Sequence, residues 1–290
     1  MSSADLAGAP PSVRAEWLAI ALGLIASWGW LGFAQFVGST VSDPSIPTMV
    51  LFYLLVFAPL VPIALAAGRI ARISVLRGGA RRLAWTAGGF AIGLAGFAAT
   101  VLLRRLNGGL VTGTMPRAEM GALLVSVVLI AFQTGAEEVT FRGWLQPVLV
   151  RRLGAGWGIA LAAVLFVVFH VVGGGRDPVA LVSIGLAGAL FGLIAWRSGG
   201  LLGGWAAHFA WNTTEDTWLG LTPNPGNSPF GSFMDLDLAG SPLWGGGPEG
   251  LNASIGTAAV LLALIVPLAL PLRRDEVAAA EGSAPANAPA

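Results

Sequence analysis

A chain of 290 residues with 55% hydrophobic and 11% charged side chains, and a mean hydropathy of +0.76, lacks the polar surface of a water-soluble fold and is expected to be an integral membrane protein. Its net charge of +1, set by 16 arginines without a lysine, makes no field to attract nucleic acid, so no nucleic-acid partner is expected. Absence of cysteine excludes disulfides, thiol nucleophiles and thiolate metal sites.

In chain order, residues 1–16 are small and Pro-containing and predict a disordered N-terminus. Crossing about 30 Å of hydrocarbon takes roughly 20 helical residues. Eight windows meet that need: 17–37, 47–67, 83–103, 120–150, 155–172, 178–196, 199–219 and 255–272. The predicted fold class is therefore all-α, a polytopic membrane protein of about eight transmembrane helices. Residues 17–119 form its N-terminal helices, 120–219 its core and 255–272 its last span. The Gly/Pro-rich stretch 220–254 reads as a mobile outer loop with aromatics at the interface, and 273–290 as a disordered tail.

Arginines resist translocation, so their distribution orients the chain. With both termini in the cytoplasm, Arg14, Arg69, Arg72, Arg77, Arg81, Arg82, Arg151, Arg152, Arg197, Arg273 and Arg274 lie inside. Arg104, Arg105, Arg117 and Arg176 lie outside, and the Arg104 and Arg105 pair opposes the assignment. The expected location is a multi-pass protein of a bacterial inner membrane, with lipid as its surrounding partner.

Ionisable residues inside the spans fall in three short stretches. AEEVTFRGW places Glu137, Glu138 and Arg142 in an apolar run, where each charge costs roughly 2.5 to 3.5 kcal/mol at the centre of a helix. Glu138 and Arg142 are i and i+4 and share a face, while Glu137 points about 100° away. FVVFH ends in His170, and HFAWN places His208 and Asn212 one turn apart. Counted from the Arg-rich side, Glu137, His170 and Asn212 fall at a similar depth, roughly 20 to 22 Å along their helices at about 1.5 Å per residue. Three helices are thus expected to converge on one polar pocket. Two imidazoles and a carboxylate also make a possible zinc site of Glu137, His170 and His208. No H-E-x-x-H signature is present, and no metal or other cofactor is favoured.

With Phe166 preceding His170, these stretches resemble the CPBP intramembrane proteases, a family of CAAX proteases and bacteriocin-processing enzymes also called Abi. Its pattern is Glu-Glu-x-x-x-Arg, then Phe-x-x-x-His, then His-x-x-x-Asn. The resemblance covers about residues 120–215 and implies a CAAX prenyl protease 2-like bundle. It implies that Glu137 activates water with help from His170, that His208 and Asn212 stabilise the oxyanion, and that Glu138 and Arg142 form a structural ion pair. It also implies an endopeptidase acting on a membrane-associated or hydrophobic peptide or protein of unknown sequence. The alternatives are a non-catalytic scaffold or bacteriocin-immunity protein, and a transporter that uses the same groups as a relay.

Overall fold

The computed structural model describes residues 11–79, 81–114, 118–225 and 228–282, with side chains as far as residue 270. Nine α-helices account for most of it: α1 (Val13–Ser39), α2 (Ile46–Phe57), α3 (Leu60–Ile70), α4 (Arg82–Leu106), α5 (Met120–Glu138), α6 (Gln146–Val172), α7 (Pro178–Ser198), α8 (Leu202–Thr213) and α9 (Ile255–Gly282). Two short strands, β1 (Leu110–Thr112) and β2 (Leu236–Leu238), pair antiparallel. Two π-helical segments, Val139–Leu145 and Thr214–Trp218, continue α5 and α8 without a break.

The protein is thus an all-α polytopic membrane protein. Among the described residues, five helical stretches are long and apolar enough to span: α1, α2 with α3, α4, the run Met120–Val172, and α7. That run of 53 residues holds two of the eight predicted spans, because Gly154 takes φ 78° and ψ 167° inside it. The chain doubles back there, setting Gly158 against the backbone of Val150 and Phe141 against Phe166 and Phe169. α8 with its π segment, and the apolar part of α9, Ile255–Leu270, complete the eight apolar segments. α7 begins where Asp177 accepts hydrogen bonds from the amides of Val179 and Ala180, and ends at Gly199 in the left-handed conformation.

Two ends of the bundle differ in chemistry. At one, the Glu16 carboxylate is fully buried and ion-paired with Arg151 and Arg152. Arg151 also reaches the carbonyl of Ala71, Arg197 that of Leu268, and the amide of Leu201 donates to Arg77 O. Arg77, Arg151, Arg152 and Arg197, four of the arginines assigned to one side, are therefore held at one end. At the other end Arg104 is buried against Gly109 and Gly240, and Arg176 donates to the last carbonyls of α6 at Val171. These two of the four dissenting arginines have structural employment there. Arg117 lies outside the described residues.

Three expectations need correction. α1 begins at Val13 and buries Glu16, so the last residues of the segment 1–16 are ordered helix. α9 continues to Gly282, so the stretch predicted as a disordered tail from residue 273 starts inside a helix, and 283–290 lie outside the described residues. The segment 220–254 is a packed cap and not a loose loop. Asn224 donates to Leu238 O and accepts from Leu238 N, while Phe230, Leu238 and Leu251 are buried. Its glycines and prolines serve turns, and its spaced apolar residues pack on the bundle.

Two apolar cores flank the middle of the protein. One, centred on Trp144, Phe141, Leu60 and Phe166, joins α1, α3 and α6 to the first π segment. The other, around Phe97, Leu190, Phe191, Trp211 and Leu261, joins α4, α7, α8 and α9 to the cap. α4 approaches α8 so closely that a Cβ on Gly89 or Gly93 would collide with the carbonyls of Gly203 and Ala207. Gly154→Ala should lower stability by about 1 to 3 kcal/mol, since its backbone region admits essentially only glycine. An unchanged melting temperature in detergent would show that the reversal does not depend on that conformation.

Candidate active site

Between the two cores, α5 with its π segment, α6 and α8 bring the three polar stretches together. Arg142 Nη1 donates to Glu138 Oε1 at 2.7 Å, and Arg142 Nη2 donates to Gly188 O on α7 at 2.8 Å. Both side chains of the pair are 1% exposed. Glu138 Oε1 also meets His208 Nδ1 at 3.0 Å, so one carboxylate oxygen ties α8 to the first motif. A π segment contains Arg142 and another follows Asn212; such local widening of the helix recurs at functional sites and re-aims the side chains around it.

Glu137, 2% exposed, points elsewhere. Its Oε1 accepts from Gln133 Nε2 at 3.3 Å, while its Oε2 lies 3.9 Å from His208 Nε2 with no hydrogen-bond partner among the described residues. That gap suits a bridging water or a reacting atom. His170 Nδ1 is 2.8 Å from Phe166 O. A carbonyl only accepts, so Nδ1 carries the proton and Nε2 remains for other chemistry. No direct hydrogen bond joins Glu137 to His170 among the described residues; the histidine nearer to Glu137 is His208.

His170, His208 and Asn212 line one cavity of about 130 Å³ with Phe166, closed on the cap side by Asn252 and Thr257. Glu137 is not part of that lining and meets the site past His208. Aromatic rings fix the imidazoles: Phe191 stacks on His208 with centroids 4.6 Å apart, and Phe166 meets His170 edge-on at 4.5 Å. Phe166 also lies under the Arg142 guanidinium, 4.8 Å from its centroid.

Sequence reasoning missed Gln133, Phe191 and the Gly188 carbonyl. Gln133 stands one turn before Glu137 and was detectable as the nearest polar residue on that face; Phe191 and Gly188 come from α7, which carries no motif. Among the described residues, no group of three His, Cys, Asp or Glu side chains is placed to hold a metal ion.

Residues 119–214 match the family model described as type II CAAX prenyl endopeptidase Rce1-like, and that stretch contains all three motifs. The match, over about a third of the chain, supports a CAAX/CPBP-type intramembrane protease family. Neither a curated protein nor a solved structure gives a match to the chain.

Removing one partner of a fully buried ion pair costs roughly 3 to 5 kcal/mol. Glu138→Gln should therefore melt well below the parent protein in detergent, whereas Glu137→Gln, whose amide oxygen can still accept from Gln133 Nε2, should melt close to it. The reverse order would make Glu137 the structural carboxylate.

Proposed function

We propose that the protein is an intramembrane endopeptidase that hydrolyses a peptide bond in a membrane-associated or hydrophobic substrate by water activated at Glu137. The observation that carries this reading is Glu137 Oε2, a buried carboxylate oxygen without a hydrogen-bond partner among the described residues, 3.9 Å from an imidazole nitrogen. An unsatisfied buried acceptor is unfavourable for folding, and a catalytic role beside an imidazole is one reason for a fold to keep it.

In the reaction Glu137 Oε2 takes a proton from water as the water oxygen bonds to the scissile carbonyl carbon. His170 assists through Nε2, the nitrogen left free by its bond to Phe166 O. His208 Nε2 and the Asn212 amide donate to the oxyanion that forms. Collapse of the tetrahedral intermediate breaks the C–N bond, and the proton returns to the leaving amine. Glu138 holds His208 by Nδ1 and is itself held by Arg142, so its part is positional. Because Nδ1 faces Glu138, donation from Nε2 as well requires the imidazolium, the charge an oxyanion needs.

The arginine-rich end is assigned to the cytoplasm of a bacterial cell, with both termini there.

Membranes from cells carrying the intact protein should contain a cleavage product absent from cells with Glu137→Gln. Identical peptide patterns at matched expression would favour a scaffold. With the substrate in hand, Asn212→Ala should lower kcat by about a hundredfold to a thousandfold with a smaller change in KM, the signature of a lost oxyanion donor. A raised KM at unchanged kcat would move Asn212 to substrate binding. Elemental analysis of active protein should find zinc far below one per chain; stoichiometric zinc that tracks activity would overturn the glutamate mechanism.

A further inference from the structure

We propose that the arginine-rich end carries a second binding site, for a phosphate-bearing anion. A cavity of about 380 Å³ opens there between the segment after α3, the start of α6 and the turn joining α7 to α8. Arg77, Arg142 and Arg151 all line it. It lies on the opposite side of Arg142 from the pocket under the cap, and the two linings share no residue.

The site is built and not a chance gathering of surface charge. The carbonyl of Arg77 accepts from Leu201 N at 2.9 Å, and a Cβ on Gly200 would strike the backbone of Gly78 and Gly79, so the Arg77 backbone is fixed against the α7 to α8 turn. Arg151 is held by Ala71 O at 2.6 Å and by Glu16 at 2.5 Å. Charge balance then favours an anion. Arg142 is offset by Glu138, Arg151 and Arg152 share the single carboxylate of Glu16, and Arg77 has no acidic partner among the described residues. Arg77 and half of the Arg151 and Arg152 pair are thus left without a carboxylate of their own among the described side chains, Arg152 lying next to the lining and not in it. The planar fork of arginine fits phosphate oxygens with paired hydrogen bonds.

The rest of the wall points to where that phosphate comes from. Ile73, Val150 and Trp196 supply apolar surface, and Trp196 is 42% exposed at the end of α7, the setting in which indoles sit at a membrane interface. An anionic phospholipid presents a phosphate beside hydrocarbon and matches both parts of the wall. Free phosphate matches only the arginines.

The full chain is placed in nanodiscs of phosphatidylcholine containing a minor fraction of phosphatidylglycerol, and lipid retained on the protein is read by native mass spectrometry. Retention should favour phosphatidylglycerol and fall about fivefold in Arg77→Gln, the change expected for one interfacial arginine. Arg69→Gln, at the same end but outside the cavity, should behave as the parent. Arg77→Lys should recover part of the retention, which separates loss of the charge from damage to the fold. In a second arm, inorganic phosphate is compared with chloride at equal ionic strength in detergent. A rise in melting temperature that Arg77→Gln abolishes would assign the site to the free anion, and retention of phosphatidylglycerol without that rise would assign it to the lipid. Equal retention by the parent and Arg77→Gln with no effect of phosphate, or equal losses in Arg77→Gln and Arg69→Gln, would overturn the proposal.

Discussion

A guanidinium facing a carboxylate in the middle of an apolar bundle constrains everything around it. Arg142 and Glu138 are both buried, and each unsatisfied group would weigh against folding by several kcal/mol in hydrocarbon. The neighbouring helices therefore have to complete their hydrogen bonds. α7 does so with the Gly188 carbonyl and α8 with His208, and in doing so both are registered against α5. A pair that adds little net stability relative to apolar packing thus specifies how three helices meet.

The same logic explains the aromatic surroundings. Phe166 belongs to one core and Phe191 to the other, and between them they contact Arg142, His170 and His208. Ring faces give the cation and the imidazoles electrostatic contact without hydration. The polar cluster is consequently sealed on its flanks by the residues that hold the bundle together. Damage to either core would be felt as a shift of the imidazoles.

How much of this was legible in the sequence depended on whether the signal was local. Charges inside apolar runs are too unfavourable to be accidental, so Glu137, Glu138, Arg142, His170, His208 and Asn212 stand out, and depth along the helices brings Glu137, His170 and Asn212 to one level. The Glu138 to Arg142 contact followed from i and i+4 spacing. What was hidden came from tertiary packing. The bond from His208 to Glu138 joins residues 70 positions apart, and no spacing rule reaches across that distance. The cap was missed because residues 220–254 bury single apolar side chains, such as Phe230 and Leu251, within Gly/Pro-rich turns that show no period. Glu16 was passed over in the same way, since its two arginine partners lie on α6.

The reversal at Gly154 turns the spacing between the first two motifs into a length standard. Arg142 lies 12 residues before that glycine and His170 lies 16 after it, and both must arrive at the level of Phe166 from opposite directions. One residue added to either arm would displace the part beyond it by about 1.5 Å and rotate it by roughly 100°, carrying a polar side chain out towards lipid. Length can change without penalty only at the bend itself. The two arms work as a calliper whose jaws are set by residue count, so the lengths of the arms from Arg142 to the bend and from the bend to His170 are as much a part of the site as the side chains they carry.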